Sequence, residues 1–168
     1  MATPTYDLLE SVVLTGNTTN LSITSIDQTY RDLRLVIWPK WRNNGWRLRM
    51  TLNNDTDGYY QYQSVSGFNA TEYAGDTLSA SYWEMPWANA GFGDGNETDL
   101  YLIDFFDYTQ TDRDRVAFFR TGNSGSYKNV TLAAGILQET GALSSIEFAT
   151  SGDLLLAGGR FDLYGIAG

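Results

Sequence analysis

The chain has 168 residues, 42% of them hydrophobic and 14% aromatic, with 17 glycines and 3 prolines, which points to one globular domain with a substantial core rather than a disordered segment. It contains no cysteine and no histidine, which removes disulfides, thiol chemistry, the usual zinc sites and every triad built on an imidazole base. The formal charge of −9 is uneven: residues 1–50 carry +2 and residues 51–168 carry −11, a balance that disfavours binding to nucleic acid.

The opening stretch "MATPTYDLLESVVLTG" shows no basic leader followed by an apolar run, so synthesis in a cytoplasm is expected. No stretch reaches the roughly 20 apolar residues of a membrane-spanning helix, and no membrane partner is expected.

In chain order, strand-like runs are read near 6–15, 20–26, 32–38, 46–53, 58–65, 77–84, 98–107, 115–120, 128–138, 143–149 and 159–166. In "WRLRMTL", Trp46, Leu48, Met50 and Leu52 alternate with Arg47, Arg49 and Thr51, the two-residue period of a half-buried strand. "DLRLVIW" alternates Leu33, Leu35 and Ile37 against Arg34, Val36 and Trp38. "NNDTDG" is a hairpin turn, with Gly58 free to take positive φ. It imitates the start of an EF-hand loop, but Ser64 stands where a bidentate Glu is required. "DLYLIDFF" is apolar on both faces, as in a central covered strand. The carboxy-terminal "GGRFDLYGIAG" turns Phe161 and Leu163 one way and Arg160 and Asp162 the other.

No segment sustains a helical period. The expected fold is all-β: an antiparallel two-sheet β-sandwich, jelly-roll-like, forming one domain over residues 1–168 with a short arm at 1–5. Its core is expected to hold Leu48, Met50, Leu52, Ile103, Phe118, Ile146, Phe148, Phe161 and Leu163.

Two stretches carry a resemblance. "SITSIDQTYRDLRLVI" (Ser22–Ile37), with Ile26, Gln28, Thr29, Tyr30, Asp32 and Leu33, and the closing "LAGGRFDLYGI" resemble a widespread family of bacteriophage virion proteins. The chain departs at Asp27, where proline is usual, and at Gly159, where serine is commoner. The resemblance implies a jelly-roll-like sandwich on a phage particle, assembled in the host cytoplasm.

Six of the eleven cations lie within "RDLRLVIWPKWRNNGWRLR" beside Trp38, Trp41 and Trp46. Interleaved Arg and Trp suit an interface or a stacking surface for sugars or bases, while simple cover over a sandwich end is the plainer reading. Trp83 and Trp87 in "YWEMPWANAGFGDG" suit binding a partner or a glycan, with packing over the sandwich edge as the equally simple alternative. The candidate interface or ligand-binding set is therefore Arg34, Trp38, Lys40, Trp41, Arg42, Trp83 and Trp87. Carboxylates gather in "GDGNETD" and "TQTDRDR", where solvated loop charge is the default, and no cofactor or metal is called for. Two function classes follow. One is a capsid decoration or cement protein on the head exterior, contacting the major capsid protein or other virion proteins and itself, with a trimer as the natural form. The other is a tail-appendage module that holds host carbohydrate through its tryptophans.

Overall fold

The computed structural model describes residues 5–41, 47–57, 59–68, 71–85, 99–123, 129–152 and 154–168, though not the side chains of residues 68 and 77–80. Among these described residues twelve strands follow one another: β1 (Tyr6–Val13), β2 (Asn20–Thr24), β3 (Asp32–Trp38), β4 (Leu48–Leu52), β5 (Tyr60–Phe68), β6 (Thr71–Ala80), β7 (Trp83–Glu84), β8 (Asp99–Phe105), β9 (Arg115–Asn123), β10 (Asn129–Leu137), β11 (Ser145–Thr150) and β12 (Arg160–Ile166). They form an eight-stranded sheet in the order β1-β12-β3-β8-β9-β10-β5-β6 and a four-stranded sheet in the order β2-β11-β4-β7. Every pairing is antiparallel. The protein is thus the expected two-sheet antiparallel sandwich.

Alternation explains most of the core. Leu48, Met50 and Leu52 of β4 and Ile146 and Phe148 of β11 point from the small sheet onto Leu33, Leu35, Ile37, Ile103, Phe161 and Leu163 of the large one, and all are buried. Sheets stacked this way interdigitate side chains across a gap of about 10 Å. Phe148 and Phe161 meet across it with ring centroids 5.1 Å apart. Trp83 of β7 reaches from the small sheet and wedges edge-on between Tyr60 of β5 and Phe119 of β9, 5.3 Å from each. Gly135 of β10 makes room for it, since a Cβ there would lie 2.8–3.0 Å from Phe119 and Trp83 atoms. The Tyr60 hydroxyl accepts the Leu52 amide at 2.9 Å and donates to the Asp55 carbonyl at 3.0 Å, tying the two sheets at their margin.

Phe118 is a correction. It is 47% exposed on the outer face of β9, and Phe119 takes the core position instead. Two adjacent phenylalanines leave the parity of a strand undecided from composition. The register settles it by pairing Phe119 with Ile103 on one side and Ala133 on the other. A second difference concerns "TEYAGDTLSASYWE": one strand was expected over 77–84, whereas β6 runs from Thr71 to Ala80 and β7 follows separately in the other sheet. The turn after β4 takes its positive φ at Asn53 and Asn54, while Gly58 lies outside the described residues.

Candidate interaction surface

The outer face of the eight-stranded sheet carries most of the chemistry left over from the core. On β1, β12 and β3 it is a ladder of compensated charges. Trp38 lies half-buried with the Arg160 guanidinium over its ring, 5.7 Å from the centroid. Arg160 donates to Asp162 at 2.9 Å, Ser11 of β1 donates to the same carboxylate at 2.6 Å, and Asp162 is wholly buried although it faces away from the core. A carboxylate removed from water this completely needs such partners. The Asp162 contact raises the Arg160 pKa further above its ordinary value.

One register step along, Arg34 of β3 grips Asp104 of β8 in a two-pronged pair at 2.6 and 3.1 Å. Its third nitrogen donates to the Tyr6 hydroxyl at 3.0 Å, and the guanidinium lies 5.4 Å from the Tyr6 ring centroid. The hydrogen bond to Asp104 also raises the Arg34 pKa. Arg120 of β9 reaches the same Asp104 carboxylate from the other side. These cations hold their own sheet together and offer no uncompensated charge to a ligand.

Beyond β8 the face turns apolar. Val116, Phe118, Val130, Leu132, Ile136 and Val65 all point outward from β9, β10 and β5 and are exposed. Phe106, just past β8, packs edge-on against Phe118 at 5.5 Å. Beside Phe118 lies an open groove of about 930 Å³, lined by Gln63, Val65, Ala74, Asp76, Arg120, Leu132 and Ala134.

Of the residues singled out from sequence, the structure brings Arg34 and Trp38 onto the charged part of this face and leaves Lys40 exposed near the end of β3. Trp41 and Trp83 are corrections as surface residues. Trp41 is only 7% exposed, with its indole nitrogen donating to Asp99 at 2.9 Å, and Trp83 is 1% exposed, donating to the Gln61 carbonyl at 3.0 Å. Each buries a large ring and satisfies its one N–H internally, so neither presents a binding surface. Arg42 and Trp87 lie outside the described residues, as do Trp46 and most of "GDGNETD". Among the described residues no group of three or more carboxylates could hold a metal ion, and Asp55 in the turn accepts the Asp57 amide at 2.9 Å.

The apolar patch is what sequence reasoning missed. Its signal was present in "NVTLAAGIL": Val130, Leu132, Ala134 and Ile136 form one parity, Asn129, Thr131, Ala133, Gly135 and Leu137 the other. The structure turns the more apolar parity outward. Asn129 and Thr131 are buried, and the Thr131 hydroxyl is satisfied by Ser66 at 2.8 Å.

No family model matches the chain, and no curated protein matches it. A solved structure similar in outline is the galectin LEC-6 of Caenorhabditis elegans, 12% identical, covering 91% of this chain and 94% of that one at a TM-score of 0.38. A likeness this loose carries no inference about ligand or activity.

Proposed function

We propose that the chain is a structural protein of a bacteriophage particle, a decoration or cement protein seated on the outside of the head. The observation that carries this reading is that its two family-like stretches, over a hundred residues apart, close into one unit. β3 and β12 pair in register, with Leu33 opposite Gly165, Leu35 opposite Leu163 and Ile37 opposite Phe161. The Tyr30 ring lies flat over Gly165, where a Cβ would come within 2.5–2.6 Å of its carbons. Gln28 donates to the carbonyls of Ile26 and Leu143, both at 2.8 Å, and Asp32 accepts the Asp107 amide at 2.9 Å. Asp27, which stands where proline is usual, holds the turn by accepting the Thr29 amide at 2.9 Å. The residues that carry the resemblance are therefore the residues that lock the central strands, as expected of a shared scaffold.

A decoration role asks for no catalytic group, which suits a chain without histidine or cysteine, and a charge of −9 suits the exterior of a shell filled with polyanion. The carbohydrate-binding alternative loses Trp41 and Trp83 to the core and retains Trp38 alone among its described tryptophans, with Arg160 already over that ring. The test is mass spectrometry of purified, DNA-filled heads that lack tails. The protein is expected on them in stoichiometric amount. Its absence there, with presence on isolated tails, would sink the decoration reading in favour of the appendage.

A further inference from the structure

We infer that the outer face of β9, β10 and β5 is a self-association surface, on which a second copy of this chain packs about a two-fold axis with the Phe118 ring of each copy in the other's groove. The first argument is the inverted pattern of β10. A strand with one solvated face ordinarily turns its apolar parity to the core. Here Val130 and Leu132 are 65% and 53% exposed while Asn129 and Thr131 are buried, so the apolar parity is laid on the outer side, where no described element of the chain covers it.

Size is the second. The outward side chains of Val65, Phe106, Val116, Phe118, Val130, Leu132 and Ile136 are 37–65% exposed. Together they present roughly 500 Å² of apolar surface, at the upper end of what a monomer leaves open. Homodimer interfaces are about 65% apolar, so this corresponds to roughly 800 Å² per partner, the standard for a stable pair.

Shape and charge choose the occupant. Phe118 stands beside Ala134 across the β9–β10 pairing, a large side chain next to a small one. A knob adjacent to its own hole is self-complementary about a two-fold axis. Rotation about an axis along β10 keeps each residue at its own height along the strands and carries one copy's β9 over the partner's β5 and β6, so that Phe118 meets the groove beside Gln63 and the Arg120 guanidinium, held against Asp104, approaches Asp76 of the second copy. The remainder of a chain with a formal charge of −9 repels its own kind. This patch, whose Arg120 is compensated by Asp104, is a face on which two copies meet without like-charge cost. The pairing needs no assumption about what the chain decorates, and it proposes a dimer beside the trimer favoured from sequence.

Sedimentation equilibrium over the micromolar range tests it. The wild-type chain is expected as a dimer. Leu132→Glu, in the lining of the groove, should weaken the dissociation constant more than tenfold and leave the melting temperature of the dilute protein unchanged, because the residue is half exposed. Val65→Lys repeats the test on β5 should Leu132→Glu fail to fold, and Val13→Glu, exposed on β1 at the opposite edge, should leave the dimer intact. Because the chain has no cysteine, a single Ala134→Cys variant treated with a short bis-maleimide should cross-link only to a second copy. A monomeric wild type, a trimer, or a dimer indifferent to both Leu132→Glu and Val65→Lys would overturn the inference. So would a monomer whose binding to phage heads is lost in Leu132→Glu, which would assign the face to the shell.

Discussion

The outer face of the eight-stranded sheet changes character at β8. On one side, β1, β12 and β3 present Tyr6, Arg34, Trp38, Arg160 and Asp162, a set that satisfies its own charges. On the other, β9, β10 and β5 present Val65, Val116, Phe118, Val130, Leu132 and Ile136, which satisfy nothing by themselves. Both halves rest on the same kind of core, so the difference is not a matter of fold stability. A polar face can be complete in a monomer because hydrogen bonds and ion pairs close locally, whereas an apolar face is complete only when water is displaced from it. The charged half is finished architecture, and the apolar half is an address.

The largest effect expected from this comparison concerns two tryptophans three residues apart. Trp38 belongs to the outer face and Trp41 to the core, so Trp41→Ala should cost about 3–5 kcal/mol, a large share of the 5–15 kcal/mol that holds a typical domain. It also removes the indole N–H that a buried oxygen of Asp99 accepts. Trp38→Ala should cost a small fraction of that. Equal losses in thermal melts of the two variants would show that the outer face contributes to stability as the core does, and the comparison would fail.

How far this was legible in the sequence follows the same division. β3 and β4 were readable because one parity of each is uniformly large and apolar, Leu33, Leu35 and Ile37 or Leu48, Met50 and Leu52, and β11 and β12 because Ile146 and Phe148, or Phe161 and Leu163, share one parity. β9 and β10 were read as strands, but not which of their faces turns inward, because Phe118 and Phe119 supply both parities and "NVTLAAGIL" places its better hydrophobes outward. Period-2 reasoning assumes that the only dry place is inside the chain. It fails where a second dry place is outside. The tryptophans misled for a related reason: Arg and Trp interleave in sequence around residues 31–49, but the break between Trp38 and Trp41 sends one ring out and the other in. No local pattern could reveal that Trp41 bridges to Leu155, more than a hundred residues away.

The next effect in size reaches the interior that both halves share. Tyr60 and Tyr101 are fully buried, and burial pushes both phenols above their ordinary value of 10.0. Their neutral form is thus favoured in the folded state. The stability they contribute is complete below about pH 10 and is lost as pH climbs through and beyond that value, at up to about 1.4 kcal/mol per pH unit for each tyrosine still protonated when folded. Urea midpoints should hold up to about pH 9 and fall steeply by about pH 11, equally for the wild type and for Leu132→Glu. A midpoint that stays flat through this range would mean that the two phenols ionise as freely in the folded protein as in the unfolded chain.

The smallest effect is expected at the border itself. Asp104 accepts Arg34 from the charged half and Arg120 from the apolar half. Asp104→Ala leaves two guanidiniums facing one another, but both are partly exposed and can turn to water, so the cost should be only about 1–2 kcal/mol and should shrink as salt rises. For a chain of this length that is a fall of roughly 5 °C in melting temperature. The consequence for association should be disproportionate, because Arg120 then stands uncompensated beside the groove and the dimer must bury or expel its charge. Double-mutant cycles that combine Asp104→Ala with Arg34→Ala and, separately, with Arg120→Ala separate the two roles. Coupling to Arg34 should appear in the melting temperature and coupling to Arg120 in the dissociation constant. If Arg120 couples to Asp104 in neither, the carboxylate belongs to the charged ladder alone, and the boundary between the two halves runs between β8 and β9 rather than through Asp104.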